Sequence, residues 1–374
     1  MKSDILKLLG GFLLLIIVFL VGTISIAPVM GRISGTKIVA DNTIIDLSLK
    51  NYGIQWSPDG HISYVTFPNG DRRYFIAGNQ RAYAIESKSN LTLEQTIKGN
   101  PVIKAVFGPE ITSSYRNNYA TIAEVLQTDK NNPYHVFAFT QYEQQAVKPD
   151  KTLDYSNFTA SIGLLESYDG GLTWKDFGPV VRGDDYLTPG TRISGAGEPA
   201  AIIKDGYVYL YYVDWAAQVK AFHGDEIFLA RTKIIGDGLG AFEFYTTNGF
   251  STTEANLAPV VTQPTGNSGY VSLPSVSFNK YIGSYLMIYE TNLGFMSEVS
   301  TDAVTWTNAK KIFTFPQAQS DRQSGNTWYS YPTLLSDNSE LTDGVTQNTG
   351  NLYFSKGIWP NVAHQPAKQS FQIQ

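Results

Sequence analysis

The sequence predicts an all-β fold, and composition, strand pattern and turn chemistry each support that prediction. The 374-residue chain is 43% hydrophobic and 13% aromatic, so it can bury a sizeable core. Its bias towards Tyr, Gly, Thr and Asn favours short strands joined by turns over helices. No amphipathic helical stretch of useful length follows the N-terminal segment. No interior linker interrupts the chain, and all-β folds of this size commonly form one domain.

The N-terminal segment differs from the rest of the chain. Residues 8–31 contain no charged side chain, and residues 8–21 are almost purely apolar. Because about 20 apolar residues span a bilayer, we predict a transmembrane signal anchor. Lys2 and Lys7 precede the span, which leaves the amino terminus in the cytoplasm and the rest of the chain outside. The predicted segments are an anchor at 1–31, a short linker at 32–44 and a β domain at 45–374.

A cleaved signal peptide is the alternative for this segment. Ser25-Ile26-Ala27 loosely fits a small-x-small cleavage site, but Pro28 disfavours a cut after it. The predicted location is therefore membrane-anchored and extracytoplasmic, at a cell surface or in a periplasm. If the segment is cleaved, the chain is secreted.

One type of strand recurs along the β domain at a spacing of roughly 60 to 80 residues, which suits one four-stranded sheet plus loops. The recurring strands are rich in Tyr, Phe and β-branched residues: 73–77, 135–140, 207–213, 284–290 and 351–355. Turns such as Asn69-Gly70 and Asp205-Gly206 precede them, because Gly and Asn supply the positive φ of tight hairpins. Five recurrences predict a five-bladed β-propeller, with six blades as the alternative. Apolar runs on both faces predict that these are inner blade strands, stacked between neighbouring blades.

A turn motif occurs twice in the chain. Ser167-Tyr168-Asp169-Gly170-Gly171-Leu172-Thr173-Trp174 has the form S-x-D-x-G-x-T-W, and residues 300–306 carry a shortened copy. Asp and Ser can bind turn amides, Gly permits a left-handed bend, and Trp can pack under the hairpin. The motif resembles the Asp box of sialidases and related propellers. That resemblance implies a role in stabilising the fold, away from the active site, for Asp169 and Asp302.

A second motif lies in the middle third of the chain. Gly195-Ala196-Gly197-Glu198-Pro199 precedes a strand start and is followed by the Tyr-rich run 209–215. Residues 272–276 and 330–334 repeat a polar residue followed closely by Pro. From about Asn51 to the end, the chain resembles the five-bladed propeller glycosidases of family 43 and its relatives. In that family a Glu followed by Pro opens the first strand of a blade.

The resemblance implies that Glu198 is the general acid of a glycosidase. That role requires a raised pKa, which partial burial could supply; the alternative is that Glu198 only binds local backbone. Inverting hydrolysis also needs a base about 6.5 to 9.5 Å away, to leave room for water. The candidates for this base are Asp59, Glu124 and Glu143, and Asp214 could tune or orient the acid. Ser57-Pro58-Asp59-Gly60 also fits a β-turn with Pro at its second position, so the base stays open.

Several other side chains are candidates for contact with a sugar. Aromatic rings suit the apolar face of a sugar, and their alternative role is packing between blades. The predicted substrate-binding residues are Arg192, Tyr142, Tyr212, Trp215, Trp328 and Tyr331. A sialidase would need three arginines that clamp the carboxylate of its substrate. The available arginines are Arg72, Arg73, Arg81, Arg116, Arg192 and Arg322. The Arg-Ile-Pro triplet typical of sialidases is absent.

Composition excludes other classes of function. The chain has no Cys, hence no disulfide, thiolate metal site or Cys nucleophile, and its four His lack metal-ligand spacing. We predict no cofactor and no bound metal. A net charge of -5 without a basic run argues against nucleic acid as a partner. The predicted function is a glycoside hydrolase that acts on carbohydrate; the alternatives are a non-catalytic propeller that binds glycan or protein, and a sialidase.

Overall fold

The structure is a computed structural model that describes residues 38–40, 43–89, 91–129, 131–148, 150–183, 193–215, 226–263, 270–336 and 343–374. The predicted anchor at 1–31, most of the predicted linker and Arg192 lie outside these residues. Within the described part of the chain, no helix is long and apolar enough to cross a membrane. The all-β prediction is confirmed, because nearly every described element is a strand.

The described strands form five antiparallel groups in chain order. Two short strands come first, β1 (Ile38–Ala40) and β2 (Ile45–Asp46). The first group contains β3 (Ser63–Thr66), β4 (Arg72–Gly78), β5 (Arg81–Ser87) and β6 (Ile103–Phe107). The second contains β7 (Tyr119–Leu126), β8 (Val136–Val147), β9 (Leu153–Ser167) and β10 (Lys175–Val181).

The third group contains β11 (Ile193–Lys204), β12 (Tyr207–Asp214), β13 (Glu226–Ile235), β14 (Gly238–Thr246) and β15 (Gly249–Ser251), with β16 (Val261–Thr262) beside β13. The fourth contains β17 (Val271–Asn279), β18 (Ser284–Thr291), β19 (Gly294–Ser300) and β20 (Thr307–Thr314). The fifth contains β21 (Thr327–Leu335), β23 (Thr349–Ile358) and β24 (His364–Ile373), while β22 (Val345–Thr346) pairs with β17.

The first strands of the five groups contact one another in succession: β3 with β7, β7 with β11, β11 with β17, and β17 with β21. The amide of Ile62, just before β3, donates to Thr333 Oγ1 of β21 at 3.1 Å and closes the circuit. The Tyr-rich strands β4, β8, β12, β18 and β23 are the second strand of each group. Each of them therefore lies between two strands of its own group, as an inner strand. Both faces of these strands are buried because the strands lie between neighbouring groups. First strands lie between neighbouring groups in the same way.

Three of the first strands contain the same irregularity at the same place. Glu198, Leu273 and Tyr331 each precede a Pro and each have positive φ, of 56°, 55° and 57°. The pairing register shifts at these points, between Gly197 and Ala200 in β11 and at matching positions in β17 and β21. Pro cannot donate to the ladder, so a bulge forms and turns the preceding side chain. The polar-then-Pro pattern of the sequence thus marks equivalent positions around the circuit.

The two ends of the described chain share one sheet. β1 and β2 pair with β24, with Ile38 opposite Ile373 and Ile45 opposite Lys368. An ion pair of 2.8 Å joins Lys356 of β23 to Asp46. Strands from both ends therefore complete the fifth group and hold the circuit of first strands closed.

One short helix, α1 (Leu93–Lys98), follows β5 and was not predicted. Thr92 caps it: its hydroxyl accepts from the Gln95 amide, and the Gln95 side chain accepts from the Thr92 amide. This capping box was visible in the sequence as Thr-x-x-Gln.

The turn at 167–174 has the hydrogen bonds that its residue types suggest. Asp169 accepts from the amides of Leu172 and Thr173 at 2.9 and 3.0 Å, and from the Thr173 and Ser167 hydroxyls at 2.7 Å each. Burial acts to raise the pKa of Asp169, but these hydrogen bonds lower it to about 2. The Trp174 ring packs edge-on against Phe75. Asp169 therefore organises the turn between β9 and β10.

Replacing Asp169 with Ala is expected to lower the free energy of unfolding by about 1 to 3 kcal/mol, because several amides and hydroxyls lose their acceptor. Urea denaturation measures the loss. Because the pKa is depressed, the contribution of Asp169 is present above about pH 4 and is lost as the pH falls towards 2. Asp237→Ala, in an exposed turn, is the control and should change stability by less than about 0.5 kcal/mol. Equal effects of the two substitutions contradict this role.

Candidate functional site

A cavity of about 10 Å³, room for about one water molecule, lies where the first strands meet. Its lining comes from the segment before β3 and from the three bulges, namely His61, Glu198, Pro199, Leu273, Pro274, Tyr331 and Pro332. The bulges therefore turn equivalent positions of β11, β17 and β21 towards one point.

Glu198 lines this cavity, and the charges of two other carboxyl residues, Asp59 and Glu143, act on it. Burial, followed by the charges of Asp59 and Glu143, raises the pKa of Glu198 well above its ordinary value. Burial and the charge of Asp59 raise the pKa of Glu143 to about 8. Like charges held close together cannot all stay ionised. Burial and the neighbouring charges therefore favour the protonated forms of Glu143 and Glu198.

Glu290 at the end of β18 is a fourth acid of this set, and the sequence analysis missed it as a site residue. It is 1% exposed and accepts from the hydroxyls of Tyr270 and Ser330 at 2.6 Å each and from the Gln319 amide at 3.1 Å. Burial raises its pKa to about 7 despite these donors. Its charge also contributes to the raised pKa of Glu198. Glu290 is a well-bonded acid at the edge of the cavity.

Gln141 of β8 links two of the carboxyl residues. Its side-chain oxygen accepts from the Glu198 amide at 2.8 Å, and its side-chain nitrogen donates to Glu143 Oε1 at 3.0 Å. Gln141 is 7% exposed, and a Cβ on Gly197 would lie 2.7 Å from its oxygen. The amide therefore holds the strained backbone of Glu198 and the side chain of Glu143 in a fixed relation.

Two tyrosines surround Asp59. The Tyr119 hydroxyl donates to the Asp59 backbone oxygen at 2.6 Å. Burial and then the charge of Asp59 raise the pKa of Tyr331. Of the predicted site residues, the structure thus brings together Asp59, Glu143, Glu198 and Tyr331.

A second buried acidic pair lies further along the circuit. Burial and the charge of Asp343 raise the pKa of Glu124, and the Glu124 carboxyl is hydrogen-bonded to Asp343. Glu124 also accepts from the Ala201 amide at 3.1 Å, and His61 Nε2 lies 3.4 Å from its Oε2. Burial lowers the pKa of His61 to about 3, so the imidazole is neutral. Glu124, a candidate base, therefore belongs to a separate structural pair.

The other predicted residues lie outside the cavity lining. Asp214 is buried at the end of β12 beside Gly183, and its charge is not among those that raise the pKa of Glu198. Tyr142 is fully buried, and its hydroxyl donates to Asp176 at 2.6 Å. The predicted placement of Tyr142 near the channel is thereby corrected, because β8 turns this ring towards the outer strands.

Three further aromatic predictions have different outcomes. Tyr212 is fully buried against Phe228, so its predicted placement near the channel is also corrected. Trp215 is 5% exposed and packs on Gly197, next to Glu198. Trp328 is 9% exposed at the start of β21, on the strand that carries Tyr331.

The arginines do not form a clamp within the described residues. They bind in separate places: Arg72 near Asp343, Arg73 at Glu86, Arg116 at Glu110 and Asp176, and Arg322 near Glu290. Over the same residues, no group of three or more His, Asp or Glu lies close enough to hold a metal ion.

The raised carboxyl pKa values predict how stability depends on pH. A carboxyl that keeps its proton in the folded state, at a pH where the unfolded chain has released it, makes stability fall as the pH rises. We expect each such group to cost about 1.4 kcal/mol per pH unit between about 4.5 and its raised pKa, which is about 7 for Glu290 and about 8 for Glu143. His61 acts in the opposite direction, but only between about pH 3 and 6.5.

Urea denaturation from about pH 6.5 to 8 checks this expectation, because the His61 contribution is constant there. The free energy of unfolding should fall across that range, and Glu143→Gln should flatten the decline. Glu166→Gln, at an acid paired with His135 near the surface, is the matched control. Stability that is level or rising over this range contradicts the account.

No protein-family model and no curated protein sequence matches the chain. Solved structures are similar in fold. An α-L-arabinofuranosidase from Lactobacillus brevis is 10% identical, with 84% of this chain and 91% of that chain covered and a TM-score of 0.54. The catalytic domain of a family 62 α-L-arabinofuranosidase from Coprinopsis cinerea is 12% identical, with 90% and 98% covered and a TM-score of 0.52.

A family 117 glycoside hydrolase from the marine bacterium Zobellia galactanivorans is 9% identical, with 90% of each chain covered and a TM-score of 0.51. The chain therefore has the architecture of the propeller glycosidases, as the sequence resemblance predicted.

Proposed function

We propose that the chain is a glycoside hydrolase whose five strand groups are five propeller blades. The observation that carries this proposal is the coupling of Asp59, Glu143 and Glu198. Asp59 lies just before the first strand group, Glu143 lies in the second and Glu198 in the third, and the charge of Asp59 raises the pKa of both glutamates. Glycoside hydrolysis uses carboxyl groups whose environments separate their protonation states.

In this proposal Glu198 is the general acid. Its raised pKa keeps the proton that the leaving-group oxygen needs, and the bulge before Pro199 directs its side chain to the cavity. Asp59 is the carboxylate that activates water, since its negative charge raises the pKa of both other acids. Glu143 tunes Glu198 electrostatically, and Tyr331 lies close enough to Asp59 for its charge to act on the phenol.

A non-catalytic propeller that binds glycan is the second candidate. The cavity of about 10 Å³ favours it, because it holds about one water molecule, whereas pockets that enclose a ligand usually measure about 300 to 1,000 Å³. Such a cavity allows a shallow contact with the end of a glycan chain, which is enough for binding, but it does not enclose a sugar ring.

Turnover separates the two candidates. The neighbours named as arabinofuranosidases suggest the first probes, nitrophenyl α-L-arabinofuranoside and arabinose-substituted oligosaccharides, with the xyloside and mannoside as comparison. Release of nitrophenol that depends on Asp59 supports the hydrolase, and proton NMR of the first product shows whether the anomeric configuration is inverted. Binding by calorimetry without any release supports the glycan-binding alternative instead.

We expect Gln141→Leu to lower kcat by about tenfold to a hundredfold, because a small displacement of a catalytic group is costly. Gln141 acts through its neighbours and is a positioning residue. Loss of its hydrogen bond should raise the pKa of Glu143, and a neutral Glu143 raises the pKa of Glu198 less, so the alkaline limb of the pH–rate profile should move downward. Gln144→Leu on the same strand removes a hydrogen bond to the Asn117 amide and serves as the control. An unchanged pH profile argues against a positioning role.

We also propose that residues 1–31 anchor the chain, with the β domain at 45–374 outside the cytoplasm. The uncharged stretch and the preceding Lys2 and Lys7 support this location. In cells, the full chain should stay in membranes after alkaline carbonate washing and be digested by protease added outside. Recovery in the wash or in the medium indicates a peripheral or cleaved form.

A further inference from the structure

A line of aromatic rings leads away from the acidic cavity on the side of the fifth strand group. Tyr331, which lines the cavity, stacks on His364 with ring centroids 6.2 Å apart. His364 meets Trp328 edge-on at 5.0 Å. Beyond Trp328 stands Trp359, which is 39% exposed. Arg322 bridges Trp328 and Trp359, and these four rings form a wall from Tyr331 to the surface.

Arg322 lies between the two tryptophans of this wall. Its guanidinium carbon is 5.6 Å from the Trp328 ring centroid and 5.1 Å from that of Trp359. Its Nε donates to the Gln319 backbone oxygen at 3.0 Å. Two ring faces and a backbone acceptor therefore hold the guanidinium in place without using its terminal nitrogens.

The terminal nitrogens of Arg322 have no hydrogen-bond acceptor and no ion-pair partner within 4.0 Å among the described residues. The charge of Arg322 nevertheless acts to lower the pKa of Glu290. The donors of Glu290 are Tyr270, Ser330 and Gln319, so its oxygens are already occupied. Arg322 is a fixed, half-buried cation beside the cavity whose planar pair of N–H donors is unused.

We propose that Arg322 and the exposed Trp359 form a subsite for an acidic sugar residue, one that carries a carboxylate or a sulfate. Guanidinium pairs bidentately with planar carboxylates and with oxyanions, and Trp offers a face for the apolar side of the sugar ring. For the proposed hydrolase, this subsite defines the substrate class as glycans with anionic substituents. That part of the inference rests on the proposed function. Its ligand binding can nonetheless be measured without hydrolysis.

The test is calorimetric titration of the full chain at about pH 6, where Glu290 is mostly protonated. The probes are a neutral xylo-oligosaccharide, the same oligosaccharide with a glucuronic acid branch, and a sulfated analogue. The acidic ligands should bind at least about tenfold more tightly, because a bidentate charged pair adds that much or more. The two acidic probes distinguish carboxylate from sulfate as the preferred group.

Arg322→Gln should reduce binding of the acidic ligand to that of the neutral one and leave neutral binding unchanged. Arg322→Lys keeps the charge but loses the paired N–H donors of the guanidinium, so it should retain part of the preference for the acidic ligand. This variant replaces Arg322→Gln in the test if the latter does not fold. Lys310→Gln, which removes a cation elsewhere on the fourth strand group, is the control. Equal affinities for acidic and neutral ligands in the unsubstituted chain overturn the proposal, as does an equal loss of both in Arg322→Gln.

The outcomes for the two proposals are separable. Selective binding of the acidic ligand through Arg322 without any turnover supports the subsite and contradicts the hydrolase. Turnover of neutral substrates with no acidic preference supports the hydrolase and contradicts the subsite.

Discussion

Replacing Glu198 with Gln is expected to lower kcat by about 10² to 10⁴-fold on substrates with a poor leaving group. The amide keeps the size and hydrogen-bonding shape of the side chain but cannot give a proton to the leaving oxygen. The Glu198 backbone amide would still bind Gln141, so the bulge should persist. The melting temperature should not fall, because the substitution removes a carboxyl that burial disfavours in its ionised form.

The dependence on leaving group makes this prediction specific. The dinitrophenolate of a dinitrophenyl glycoside leaves without protonation, so hydrolysis of that substrate should be nearly unaffected by Glu198→Gln. An alkyl glycoside should show the full loss in kcat. Glu243→Gln, at a surface acid paired with Arg231, is the control for a general effect of removing a carboxylate. Equal losses for both leaving groups would assign Glu198 a structural role and remove it as the acid.

Replacing Arg72 with Met is expected to lower the free energy of unfolding by about 3 to 5 kcal/mol, since removal of one charge from a buried charged cluster leaves the others uncompensated. Arg72 is 1% exposed, lies 4.6 Å over the Tyr64 ring, and its charge acts to lower the pKa of Asp343. Met fills a similar volume without the charge. Urea denaturation at about pH 7 measures the loss.

Two comparisons test the cause of that loss. Arg81→Met, at an exposed position on the neighbouring strand, should change stability by less than about 0.5 kcal/mol. In Asp343→Asn, where the acid no longer ionises, Arg72→Met should cost measurably less, and the difference is the interaction energy of the pair. Full additivity of the two substitutions contradicts an electrostatic origin.

Local patterns in the sequence predicted much of the fold. The Tyr-rich runs are strands, the polar-then-Pro pattern marks equivalent bulges, and Ser167 to Trp174 forms a bonded turn. Burial on both faces does not distinguish a first strand from a second one. For that reason Tyr142 and Tyr212 were predicted near the channel, although their strands turn them into packed interfaces.

The acidic site was predictable only in part. Glu198 stands in a recognisable motif, and Asp59 and Glu143 were among several candidates. Glu290 and Gln141 have no local signal, because each enters the site through contacts with residues distant in the chain, such as Ser330 for Glu290 and Glu198 for Gln141. Such convergence depends on closure of the circuit, which no short stretch of sequence encodes.

The central claim, that Asp59, Glu143 and Glu198 form one coupled site, is tested most directly by carbon NMR of Glu labelled at the side-chain carboxyl. The account predicts that Glu198 titrates well above its ordinary pKa of 4.5 and that Asp59→Asn moves this titration clearly downward. If the pKa of Glu198 is near 4.5 in the unsubstituted chain, or does not change when the Asp59 charge is removed, the carboxyl groups do not interact and the proposed site is wrong.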